Sequence, residues 1–237
     1  MSDPVSISKM FADFRKVARG LSLVFTSYVI RITAVFFGGI LAVVFTCMGN
    51  PALLLLVLFF IGLLFLIGKI MAIIGRSQCL AIPEGTWART YIWSTVTLDL
   101  LSIGLFVAMQ VFDLPKGGVG ILLLSGELLS LFCFVVFLRH TAELIQNDRL
   151  ASRANAVILN AVFIGCSFVA FVVFIYWLPM NGQKGGVAAL CSTSTVFGMM
   201  FVVLIQYANL IRNVGRGIED MVDAATRHLE QVDDSLD

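Results

Sequence analysis

The sequence predicts an all-α polytopic integral membrane protein. Six transmembrane helices form three hairpins, both termini are cytoplasmic, and an amphipathic cytoplasmic or interfacial helix stands at each end. Three observations carry this. The 237 residues are 59% hydrophobic and 13% charged, with a mean hydropathy of +0.97, whereas a soluble domain carries roughly a quarter charged residues to cover its surface. The apolar residues stand in long blocks rather than on one helical face, which is how helices facing lipid read. Basic residues are also concentrated in alternate connections.

Each span is expected where an apolar block approaches the roughly 20 residues needed to cross a bilayer. The blocks fall at about 32–48, 52–74, 91–112, 119–138, 156–178 and 187–211. Gly49-Asn50-Pro51, Leu114-Pro115-Lys116-Gly117-Gly118 and Pro179-Met180-Asn181-Gly182 punctuate them, because reversals need Gly, Pro and Asn. These turns are short, so spans one and two, three and four, and five and six pair as hairpins. Thirteen lysines and arginines lie on one side, only Lys116 and Lys184 on the other, with Arg31 unassigned. The positive-inside rule puts the crowded side in the cytoplasm. Both termini on that side require an even number of spans. The membrane read from this pattern is a bacterial inner (plasma) membrane.

Residues 1–31 read as a basic amphipathic segment. Met10, Phe14, Val17 and Leu21 share a face, with Lys9, Arg15, Lys16 and Arg19 around it, a pattern suited to an anionic bilayer surface. Ser8 to Ile30 is therefore expected on or just below the inner surface, with a long tilted first helix as the alternative. Tyr28 and Arg31 read as interface anchors.

Residues 212–237 read as an acidic helical tail outside the 32–211 membrane domain. Ile218, Val222, Ala225, Leu229, Val232 and Leu236 step by four and three, an a/d seam of nearly three heptads. The tail carries three basic and seven acidic side chains, net −4, so it is not expected on an anionic membrane. The seam wants a partner: the basic N-terminal helix packed antiparallel, a partner membrane protein, or a second copy of the chain.

Chemistry centres on two acids inside spans. Asp99 is ten residues past Arg89, and Glu127 nine past Gly118, so both are expected near mid-membrane on the third and fourth helices. A charged aspartate there costs about 2.5–3.5 kcal/mol or more, so both must face protein or water. One reading is a route for a proton or small cation, with Asn160 and Thr195 as further polar groups. The other is a structural seam satisfied by polar neighbours. Arg31 is expected to snorkel to the interface, with pairing to Asp99 as the alternative. Small residues at four-residue spacing, such as Ala34/Gly38/Ala42 and Gly126/Ser130, mark expected close helix contacts.

No cofactor, metal site or nucleic-acid partner is expected. His140 and His228 both fall on the basic side, and no Cys or His stands at ligand spacing. Phosphate loops, nucleophile elbows and metalloprotease signatures are missing from the sequence, so an enzyme is the least expected class. The leading expectation is a structural or accessory subunit that packs with partner membrane proteins. The alternative is a small transporter or channel using Asp99 and Glu127.

Overall fold

The computed structural model describes residues 4–112, 116–177 and 183–233. Within these, the side chains of 4–8, 42, 110, 116–121, 124, 164–177, 183–200, 229–230 and 232–233 lie outside the described set. The described chain is all-helical: α1 (Pro4–Cys47), α2 (Pro51–Gln78), a 3₁₀ turn (Cys79–Ala81), α3 (Trp87–Val111), α4 (Lys116–Leu144), α5 (Asp148–Trp177) and α6 (Gln183–Asp233). Three stretches among the described residues are long and apolar enough to cross a membrane: Lys9–Cys47, Pro51–Ala81 and Trp87–Met109.

The turns form for local reasons. Gly49 adopts φ +66°, the left-handed conformation glycine takes without a Cβ penalty. Asn50 then caps α2, its side-chain oxygen accepting from Leu53 N at 3.2 Å, with Pro51 in the first turn, where the missing N–H costs nothing. Asn147 caps α5 in the same way, accepting from Leu150 N at 3.1 Å. Asn50→Ala should cost about 1 kcal/mol of stability, read as a shift in the unfolding midpoint in mixed micelles.

The first helix does not break at the expected 31/32 boundary. It runs unbroken for 44 residues, about 66 Å. The apolar face foreseen for the bilayer surface goes to protein instead: Phe14, Val17 and Leu21 are buried in the core, although Met10 is exposed. The 3₁₀ turn reaches it at Val17, where Cys79 Sγ meets the carbonyl, and α6 covers it at Leu21, beside Gly215, running antiparallel to α1. Phe36 stacks with Phe201 at 6.1 Å, Tyr28 meets Tyr207 edge-on at 4.8 Å, and Arg212 lies over Phe25 at 5.8 Å. At the far end Arg15 and Asp223 approach to 3.9 Å. As numbers fall along α1 they rise along α6, so one register holds over five turns or more.

The tail seam is thus partly placed. Ile218 and Val222 are fully buried in the same cluster as Phe14 and Val17, and Ala225 is half-buried. The side chains of Leu229 and Val232, and all of Leu236, lie outside the described residues. Ile218→Ala should cost about 2–5 kcal/mol, whereas the same change at a seam residue facing solvent would leave the unfolding midpoint unchanged.

The core occupies the end of the bundle where the basic residues gather, here called the basic end. It draws on α1, α3, α4, α5 and α6 through residues such as Leu21, Ile92, Phe134, Leu150 and Ile211. Toward the opposite end the large apolar side chains of α1 and α2 turn outward. Phe37, Val43, Leu55 and Phe59 are each more than 60% exposed, which suits hydrocarbon rather than water.

Candidate functional site: a charged cluster between helices

The site begins with glycine. On α2, Gly68, Ala72 and Gly75 recur at four and three residues and are buried, so one stripe of that helix has almost no side chain. This lets α1 approach closely. A Cβ on Gly75 would stand 2.6 Å from the carbonyl oxygen of Gly20 and 2.8 Å from Val24 Cγ2, closer than real atoms allow. Ser27 Oγ donates to the Gly68 carbonyl at 2.6 Å, the kind of interhelical hydrogen bond that joins helices in lipid.

Flanking that stripe, Lys69 and Arg76 lie seven residues apart, two turns, and so share a helix face. Between them sits Asp99 of α3, whose side chain is fully buried. Its Oδ1 accepts from Lys69 Nζ at 3.0 Å and from Ser130 Oγ at 3.1 Å. Its Oδ2 pairs with Arg76 Nη1. Lys69 also pairs with Glu127, which stands one turn from Ser130 on α4. The two acids are therefore linked through one lysine.

Arg76 is held on several sides. Nη1 also donates to Ser130 Oγ at 2.9 Å, and Nη2 donates to Tyr28 Oη at 3.0 Å. The guanidinium lies 5.0 Å from the centre of the Phe134 ring, within cation–π range. Tyr28 in turn packs on Tyr207. Four helices thus supply side chains around one buried ion pair, and α6 closes the back. Among the buried side-chain nitrogens and oxygens here, Arg76 Nε and Tyr207 Oη have no hydrogen-bond partner among the described residues.

Asp99 stands midway along α3, about 18 Å from either end, whereas Lys69 is about 27 Å from the start of α2, toward the basic end. Two cations reach inward from the basic end and meet the acids there. Glu127 is the most accessible member, its side chain 44% exposed, against 17% for Lys69.

Other sequence-predicted residues are placed elsewhere. Arg31 does not pair with Asp99. Its Nη2 donates to Ser27 Oγ at 3.1 Å and to the Gly68 carbonyl at 3.0 Å, because Arg31 lies on the α2-facing side of α1. Asn160 joins the α5–α6 contact, donating to Gln206 Oε1 at 3.0 Å, away from the acids. The side chain of Thr195 lies outside the described residues. Lys69 and Arg76 are the site residues that sequence reasoning missed, since they count there only among the thirteen cations of the basic side. Their seven-residue spacing beside Gly68, Ala72 and Gly75 was the available signal.

Among the described residues, no group of three or more His, Cys, Asp or Glu could hold a metal ion. Comparison of the chain with protein-family models, characterised proteins and solved structures found no match. The class is therefore defined by composition and fold: an all-helical chain with helices long and apolar enough for a membrane.

Proposed function

We propose that this is a six-span protein of a bacterial inner membrane, both termini cytoplasmic, acting as a structural or accessory subunit that packs with partner membrane proteins. In this reading the charged cluster locks helices together rather than conducting ions. One observation carries it: both in-span carboxylates are already engaged, Asp99 by Lys69 and Arg76, Glu127 by Lys69. A pathway also needs polar groups beyond such a site. Next to the Tyr28–Arg31 level stands instead a cavity walled by Val35, Phe36, Phe65, Phe201 and Leu204. The exposed apolar faces of α1 and α2 leave ample surface for lipid or a partner helix.

Native purification in mild detergent with mass spectrometry tests this. A stoichiometric membrane-protein partner is expected, and a lone chain or a homo-oligomer would sink the accessory reading. The topology is tested separately at Cys47, an exposed thiol at the end of α1. In a variant retaining only that cysteine, an impermeant maleimide should label intact cells. Labelling only after lysis would reverse the orientation.

A small transporter or channel for protons or a small cation is the second reading. It is favoured by the exposure of Glu127 and by the lysine it shares with Asp99, since one ammonium contacts both acids.

A further inference from the structure

We propose that the cleft between α1, α2 and α6 binds one anionic phospholipid, its phosphate on Arg31 and part of an acyl chain in the apolar cavity. The cavity holds about 250 Å³ and is lined by Ile32, Val35, Phe36, Phe65, Phe201 and Leu204, with Tyr28 and Arg31 at one end. It is apolar along its length and cationic at a single end, the polarity of a lipid.

Arg31 is the charged residue of this cleft, and no ion pair takes it up among the described residues. Lys69, Arg76, Asp99 and Glu127 balance one another, while Arg31 has no carboxylate within salt-bridge range among the described residues. Only its Nη2 meets hydrogen-bond acceptors, Ser27 Oγ and the Gly68 carbonyl. Its Nε is buried with none. The guanidinium lies over the Tyr28 ring at 5.3 Å, which fixes its position without neutralising it. With Nη2 donating twice and Nε enclosed, Nη1 is the nitrogen left to give phosphate a charge-assisted bond.

Depth agrees with charge. Arg31 is 17 residues before Met48, about 26 Å along the helix, against a hydrocarbon core of about 30 Å. The guanidinium therefore reaches headgroup level at the basic end, while Ile32, Val35 and Phe36 run from it toward the membrane centre. That is the course of an acyl chain entering from that leaflet. The leaflet is the cytoplasmic one under the orientation proposed above, but binding itself does not depend on that orientation.

The test is native mass spectrometry of the full-length protein in detergent, titrated with dioleoyl-phosphatidylglycerol or dioleoyl-phosphatidylcholine, which share their chains. One phosphatidylglycerol is expected to stay bound at concentrations where phosphatidylcholine does not. Arg31→Gln should weaken that binding roughly tenfold or more, the effect of losing a charge-assisted contact, and Arg31→Lys should restore part of it. Val35→Trp, at a largely exposed cleft position outside the hydrogen-bond network, should also displace the lipid. Equal retention of both lipids by the native protein overturns the proposal. So does undiminished phosphatidylglycerol preference in either Arg31→Gln or Val35→Trp.

Discussion

Asp99→Leu is expected to destabilise the protein by about 3–5 kcal/mol, the cost of leaving a buried ionic partner uncompensated. The change removes the one group that touches Lys69, Arg76 and Ser130 together. Arg76, whose side chain is only 3% exposed, would then keep Tyr28 and Ser130 but lose its counter-charge. Unfolding by denaturing detergent in mixed micelles reads the loss. The matched double variant Arg76→Met with Asp99→Leu discriminates causes. Replacing both members of a buried pair with apolar groups is often close to neutral, so the double variant should recover much of the lost stability. A single variant within about 1 kcal/mol of wild type, the range of exposed pairs, would mean that the bridge does not hold the helices.

Gly75→Val is expected to act through packing alone, with a loss at or above the top of the roughly 1–3 kcal/mol range for overpacking. The obstruction is backbone: a Cβ at Gly75 meets the Gly20 carbonyl and the Val24 amide, the latter at 3.0 Å. Neither can rotate away, so α1 and α2 must separate, and Arg76 on the next residue moves with α2. Gly62→Val on the same helix is the control. A Cβ there meets nothing within 4 Å, so its unfolding midpoint should stay at the wild-type value. Equal effects at both positions would show that helix propensity, not close approach, sets the penalty.

These two cases also show what could be read from the sequence. Apolar blocks and their punctuation were plain, and Gly49-Asn50-Pro51 reads directly as the turn observed. The four-three stepping of Ile218 and Val222 was equally plain, since a buried stripe imprints a period. Lys69 and Arg76 were not. Both fall at or near the basic end of the 52–74 block, where cations mark the cytoplasmic side, but α2 continues to Gln78 and turns both toward α3. Charge alone signals a boundary; only the small-residue stripe beside it says that the face is inward. For Arg31, only the alternative of pairing with Asp99 is excluded. Sequence gives its height on the helix but not its direction, and rotation about the α1 axis points it to Gly68 rather than Asp99. The long first helix was legible only as the alternative, because Leu21 to Met48 exceeds a bilayer and invites a break that packing against α6 makes unnecessary.

The central claim is that Lys69, Arg76, Asp99 and Glu127 form a closed structural bridge rather than an ion route. Its most direct test is proton and potassium flux across vesicles reconstituted with the purified protein, under an imposed gradient, for wild type and Glu127→Gln. The bridge predicts flux no greater than that of protein-free vesicles in both cases. Flux in wild type that disappears in a folded Glu127→Gln variant would contradict it, and would make the exposed glutamate the mouth of a pathway.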